Sequence, residues 1–379
     1  MVADSAEVIV VGLGAMGSAT SMQLAARGID VIGLDRYRPP HEFGSTHGQT
    51  RITRLAIGEG TEYVPLARRS HELWREIERD TGERLLTHTG GLIMASADSP
   101  FLAQTRAAAN QYAIEHENLD EAAITERFPM FTLAPGTEGY FEPEAGYVRP
   151  EAAVRAQLEL AKQHGAQLHF GERAVHWSAS GSGVNVETDA GRYRAQRLVL
   201  SAGPWLPELF PEGAGTFAVY RQVMYWFPIR EPREQLDTMP IYIFALGGAP
   251  EGFVHLNGFY GFPPIDGLVK LATESYDRTA VPDGRQHPAS AEEITAMYAT
   301  CVAPHLSWLE PEPARTVSCL YTNTRGSRFV IDRHPVHERV QIVSPCSGHG
   351  FKHSAAIGEA VAQLLVDGAS QIDLSPFAL

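Results

Sequence analysis

Residues 7–35 read EVIVVGLGAMGSATSMQLAARGIDVIGLD. An apolar run, a glycine-rich turn, a small-residue helix and a second apolar run ending in an acid follow one another without interruption. Gly12, Gly14 and Gly17 give the spacing G-x-G-x-x-G at the strand-to-helix junction, and Asp35 lies 18 residues beyond Gly17. Each position has a physical task. Gly12 permits the tight turn, Gly14 lets the backbone approach a pyrophosphate at the helix N-terminus, and Gly17 lets helix and strand pack closely. Asp35 can then accept a hydrogen bond from a ribose hydroxyl. The stretch predicts a Rossmann-type dinucleotide-binding unit.

The next segment selects the dinucleotide. A nicotinamide-binding domain continues with short strand–helix units, whereas residues 36–51 read RYRPPHEFGSTHGQTR. Pro39 and Pro40 break a helix, and the Gly/Ser/Thr/His composition that follows favours turns. A loop lying along a larger cofactor fits better, which favours FAD over NAD.

Composition bounds the rest. A chain of 379 residues exceeds one ordinary core and suggests two domains. No apolar run approaches ~18 residues, the N-terminus has no basic segment ahead of an apolar one, and the final residues are not a peroxisomal address. Three cysteines make no disulfide framework, so a reducing cytoplasm is expected. A net charge of −14 argues against nucleic acid or an anionic membrane as partner. Only three of the 31 basic residues are lysines, namely Lys162, Lys270 and Lys352, so a lysine here is a scarce choice.

Further along, residues 61–82 carry Leu66, Leu73, Trp74 and Ile77 at helical spacing. Residues 149–171 predict a second amphipathic helix, with Pro150 in its first turn and Gly165 closing it. Strand-like alternation dominates 219–318, and the tail from Cys346 is a glycine turn feeding a helix. The expected fold class is α/β. A Rossmann-type FAD-binding domain is assembled from 1–85, 147–218 and 319–379, beside a β-rich α+β substrate domain of 86–146 and 219–318.

Three stretches carry a more specific signal: PPHEFGSTHGQTRITRLAIGEGTEYVPLA (39–67), CLYTNTRGSRFVIDRHP (319–335) and SGHGFKHSAAIGE (347–359). With them the chain resembles the monomeric sarcosine oxidase and N-methyltryptophan oxidase family of FAD-dependent amine oxidases. The resemblance runs to the C-terminal DLSPFAL and is weakest in 86–146 and 210–258. It implies that Cys319, which alone would read as a buried filler, bears the flavin covalently through a thioether. Cys301 and Cys346 match no such motif. His47 and Arg51 match positions beside the flavin, where positive charge favours the reduced form.

The resemblance also implies that Arg54 and Lys352 grip a substrate carboxylate, a task suited to a guanidinium fork supported by an ammonium. Were residues 51–54 helical, Arg51 and Arg54 would point to the same side. Lys352 follows Gly348 and Gly350 at the start of the last helix, whose N-terminal amides could stabilise negative charge on the reduced flavin. Lys270, by spacing alone a snorkelling edge lysine, matches the oxygen-activating lysine. Tyr260 and Tyr321 match positions lining the substrate cavity. Two departures are clear: Glu274 stands where the family has histidine, and the loop before Tyr260, FALGGAPEGFVHLNG (244–258), differs in length and composition, so the substrate of no single member carries over.

These expectations describe an enzyme that oxidises a secondary α-amino acid, N-methylated by expectation, to an imine with O2 reduced to hydrogen peroxide. Its partners are a small amino acid and O2, with no metal, nucleic acid or membrane, and the chain is expected to be monomeric. Three rivals stand beside it: an oxidase of a cyclic imino acid or sugar-modified amino acid, an NAD-dependent dehydrogenase, and a non-catalytic electron-transfer flavoprotein subunit.

Overall fold

The computed structural model describes residues 4–231, 235–247, 257–284 and 287–379. Its centre is a parallel sheet in the order Val340–Ser344, Arg192–Leu200, Asp4–Val11, Val31–Asp35 and Gln167–Phe170. Antiparallel strands Ala174–Ser180 and Gly183–Thr188 extend one edge, and Val330–Arg333 pairs with Val340–Ser344. The first strand reads as continuous apolar sequence because it is buried on both faces. Val8 and Val10 join a core cluster with Leu24, Val154 and Ile357, while Ile9 and Val11 point into the opposite cluster with Leu198 and Phe210.

Helices Ala15–Ala26, Val64–Thr81, Pro150–Gln163 and Ser354–Val366 supply the first of these cores. Leu66, Leu73, Trp74 and Ile77 are all buried along the 64–81 helix, as their spacing predicted. Gly82, at φ 72°, ends it in the left-handed region.

A second sheet holds eight strands in the order Arg315–Thr324, Phe217–Pro228, Leu268–Thr273, Asn257–Gly261, Ile241–Gly247, Gly91–Ser96, Thr137–Glu142 and Glu117–Leu119. All its pairings are antiparallel except that of Ile241–Gly247 with Gly91–Ser96. Its outer face packs on a helical stretch covering Ala291–Met297 and continuing to His305. That helix interrupts a region in which strand-like alternation dominates the sequence. A local signal marks it: Ser290 and Glu293 form a reciprocal capping box.

A small third sheet joins Arg51–Thr53, Gly146–Val148 and Leu86–His88. It corrects one expectation: residues 51–53 are extended and pair with Gly146–Val148, so Arg51 and Arg54 are not brought together by a helical turn. Among the described residues no helix is long and apolar enough to cross a membrane.

Candidate active site

A cleft of about 1870 Å³ of empty space, partly open to solvent, runs between the first and second sheets. At one end it is built from backbone. Gly12 adopts φ +88°, and a Cβ on Gly17 would stand 1.8 Å from the Gly12 carbonyl oxygen, so neither position tolerates a side chain. Ser201 closes the turn by donating from its hydroxyl to the Gly12 carbonyl at 2.8 Å. Gly14 caps the first helix with no side-chain partner, leaving the helix N-terminus facing the cleft. Asp35 lines the same end. Its Oδ2 accepts from the Leu13 N–H and its Oδ1 from the Tyr37 N–H, each at 2.8 Å. These two bonds fix the carboxylate and leave lone pairs for a further donor.

The loop after Asp35 follows the cleft as its composition implied: Pro39, Pro40, His41, Gly44, Ser45, Thr46 and Arg51 all line it. Glu151, in the first turn of the 150–163 helix, anchors that loop by accepting from the Gly48 and Gln49 N–H groups at 2.6 and 3.0 Å. Arg51 donates to the Thr50 and Ser45 carbonyls. His47 is buried, and burial together with the Arg51 charge lowers its pKa to about 3. The imidazole is therefore neutral. The positive charge expected from His47 and Arg51 together belongs to Arg51 alone.

The other end is built from side chains. Arg54 and Lys352 come from elements remote in sequence, and both are buried and line the cleft. Between them stands Glu59, which accepts from Arg54 Nη2 at 2.5 Å and lies 3.8 Å from Lys352 Nζ. Burial alone would raise the Glu59 pKa, but Arg54 and Lys352 hold it well below the usual carboxylate range. Lys352 also donates to the His349 carbonyl at 2.9 Å. Burial outweighs Glu59 at the lysine and lowers its pKa to about 8. Gly348 and Gly350 line the cleft alongside. Tyr260 and Tyr321 face each other with their hydroxyls 3.4 Å apart, and Glu274 lines the same wall, receiving the Tyr276 hydroxyl at 3.2 Å.

Lys270 is interior rather than at a sheet edge: its strand lies between Phe217–Pro228 and Asn257–Gly261, and the residue is 3% exposed. Nζ donates to the Gly48 and Thr50 carbonyls, each at 2.7 Å, and packs 4.6 Å from the Phe262 ring centroid. Burial, then Arg51, holds its pKa well below the ordinary lysine range. Cys319 is 2% exposed, clustered with Met224, Trp226, Ala272 and Tyr321. It sits just behind the wall, whereas Cys346 lies on the cleft surface.

Two residues central to this end were not legible beforehand. Glu59 is one of two acids in GEGTE (58–62), with nothing local to set it apart. Glu142 is 1% exposed on the Thr137–Glu142 strand. Its carboxylate accepts from the Leu55 N–H at 2.6 Å, the Ala56 N–H at 3.1 Å and the Tyr140 hydroxyl at 3.0 Å. Arg54 in turn donates to the Ala56 carbonyl. Glu142 thus holds the backbone that orients the guanidinium.

The sequence profile of the family described as FAD dependent oxidoreductase matches residues 7–364. The monomeric sarcosine oxidase of Streptomyces avermitilis is 39% identical over 96% of this chain and 94% of its own length. The N-methyl-L-tryptophan oxidase of Yersinia pestis is 32% identical over 98% of both. Among solved structures, NikD, an amino acid oxidase essential for nikkomycin biosynthesis, superposes with a TM-score of 0.85 at 27% identity, covering 99% of this chain and 97% of its own. A glycine oxidase from Geobacillus kaustophilus shares the fold with a TM-score of 0.79 at 20% identity. A bare glycine turn, a helix N-terminus facing the cleft, a fixed carboxylate at the second strand and a long cleft beyond them suit FAD, and the chain belongs to the FAD-dependent oxidoreductases, in the family of the monomeric sarcosine and N-methyltryptophan oxidases.

Proposed function

We propose that this protein oxidises an N-methyl α-amino acid to its imine, which water hydrolyses to a primary amine and formaldehyde, with O2 leaving as hydrogen peroxide. The observation that carries the reading is the pairing of Arg54 and Lys352 around Glu59 within the cleft that also holds the dinucleotide turn. FAD, when bound, accepts the two electrons of the C–N oxidation and passes them to O2.

The chain's own residues do the rest. Gly12, Gly14, Gly17 and Asp35 would hold the nucleotide half of the cofactor, and Gly348 and Gly350 the far end. Arg54 and Lys352 already carry a carboxylate, that of Glu59, so a substrate carboxylate can take its place against the same two cations. Tyr260 and Tyr321 wall the space in which the amine would sit. Burial holds the Tyr321 hydroxyl well above its ordinary pKa, so it acts as a neutral donor rather than a base. The amine therefore reacts as the free base, its proton leaving to solvent. Lys270, buried beside Arg51 and held well below its ordinary pKa, is assigned to the oxygen step, where its N–H donors and the Arg51 charge favour the negative charge that develops as O2 is reduced.

Cys319 is assigned as the covalent flavin attachment. Its place behind the wall between Met224 and Tyr321, near Arg51 and Lys270, supports it; burial raises the thiol pKa, and the two basic residues offset only part of that rise. The chain divides on this reading into a cofactor domain (1–85, 147–218, 319–379) and a substrate domain (86–146, 219–318), the strand Arg315–Thr324 crossing their boundary. A monomer in the cytoplasm completes the proposal.

The test is anaerobic mixing of the yellow protein with a panel of N-methyl, cyclic and sugar-modified amino acids. Bleaching by an N-methyl amino acid, with formaldehyde and peroxide released in air, is expected. Bleaching by cyclic or sugar-modified substrates alone would move the protein to the rival oxidases, and no bleaching by any amine would sink the enzyme reading. Acid precipitation should leave flavin on the wild-type and Cys346→Ser proteins and release it from Cys319→Ala.

A further inference from the structure

We propose that Asp283 is a latch that pins the wall of the nucleotide end of the cleft and sets how fast FAD leaves it. The inference rests on the FAD reading and concerns a residue outside both the glycine turn and the substrate end.

Asp283 belongs to a segment that follows the Leu268–Thr273 strand and is fastened to the second sheet. Thr279 bridges Tyr220, and the Ala280 N–H donates to the Val219 carbonyl at 2.7 Å. From that strap the carboxylate reaches across to three side chains of the first sheet. Arg36 engages it with both guanidinium nitrogens, Nη1 at 2.9 Å from Oδ1 and Nη2 at 3.2 Å from Oδ2. Trp205 donates its indole N–H to Oδ1 at 2.6 Å, and Arg173 Nη1 stands 3.9 Å from Oδ2. Bidentate and charge-assisted bonds of this kind fix orientation as well as distance.

The three partners leave three different places in the first sheet: Arg36 directly after the strand ending in Asp35, Arg173 after Gln167–Phe170, and Trp205 after Arg192–Leu200. All three line the cleft, and Asp283 does not, so it acts from behind the wall. The Arg36 guanidinium lies over the rings of Trp205 and Tyr37, at 4.8 and 5.1 Å from their centroids. A cation between two aromatics, held from outside by one carboxylate, makes a rigid wall next to the ribose-binding Asp35. The Asp283 side chain is 40% exposed, so its charge is partly screened and its effect is mainly to hold geometry. Neutralising it removes the charge-assisted hold on Arg36, which can then leave the stack, and the cofactor loses that wall.

Because a covalent tether would hide dissociation, the test compares Cys319→Ala with Cys319→Ala/Asp283→Asn, each loaded with FAD. Free flavin fluorescence after dilution gives the release rate, and titration of the apoproteins with FAD gives Kd. Release about tenfold faster, Kd weaker by a similar factor, an intermediate value for Asp283→Glu and an unchanged apoprotein melting temperature are expected. Release and Kd within twofold of the parent overturn the latch. So does a fall in apoprotein melting temperature large enough to account for the flavin loss, since that marks a merely structural contact. A wild-type protein purified without flavin overturns the FAD reading itself, and the latch with it.

Discussion

The two ends of the cleft are built from different materials. At the nucleotide end the recognition elements are backbone: a glycine turn whose side-chain positions are sterically closed, and a helix N-terminus with no cap of its own. At the substrate end they are buried charges, Arg54, Glu59 and Lys352, with Glu142 supporting them from behind. The first end tolerates no added atom at its glycines and relies on few side chains, Asp35 foremost. The second tolerates changes of shape but not of charge. Substitutions should therefore fail in different ways at the two ends.

The largest effect is expected at the glycine turn. Gly17→Ala places a Cβ 1.8 Å from the Gly12 carbonyl oxygen and 2.7 Å from Ser201 Oγ, and backbone cannot yield there cheaply. Flavin content at purification should fall to near zero, read from the absorbance of the protein. Retained flavin would show that the turn has more slack than its geometry allows. Next comes Arg54→Met, which strips Glu59 of its short ion pair as well as removing the carboxylate fork. Flavin should remain while kcat/KM falls by roughly 10²–10³-fold, on the order of 3–4 kcal/mol, as for a buried charge pair deprived of one partner. Loss of flavin with loss of activity would mean that the two ends are not separable.

A smaller effect is expected from Glu142→Gln, which keeps the side-chain shape but sets an amide NH2 against one of two backbone N–H groups. One unsatisfied buried donor costs about 1–3 kcal/mol, here spent on the orientation of Arg54. KM should rise about tenfold with kcat within a factor of two, and Tyr140→Phe should give a weaker version of the same split. Equal losses in kcat and KM would make Glu142 a general stability residue instead.

The same contrast explains what could be read from the sequence. Backbone recognition leaves a mark, because glycines at fixed spacing between a strand and a helix have few other uses, and the loop at 36–51 is marked by its prolines. The strands and the helices at 64–81 and 150–163 follow from period and caps. The 291–305 helix was missed because apolar spacing over so short a stretch does not separate helix from strand, although its capping box was there to be found. Arg54 and Lys352 were singled out by resemblance, not by pattern. Glu59 and Glu142 leave no local trace, since an acid becomes a partner only when the fold brings a cation or a bare amide to it. Residues 248–256, in a loop noted as departing from the family, lie outside the described residues.

The finest test of the contrast is a titration. Burial lowers the Lys352 pKa to about 8, so the side chain is charged below that pH and neutral above it. Its help to a substrate carboxylate is therefore present at neutral pH and lost as pH rises through about 8. The amine of the substrate deprotonates over a neighbouring range and raises the rate, so a single profile mixes the two effects. The ratio of kcat/KM between wild type and Lys352→Gln cancels the substrate's contribution. That ratio should fall from about tenfold at pH 7 to about twofold at pH 9.5, with its midpoint near the free-enzyme pKa. A ratio flat across this range would mean that Lys352 contributes by filling space or by its bond to the His349 carbonyl, leaving Arg54 as the charge that meets the substrate.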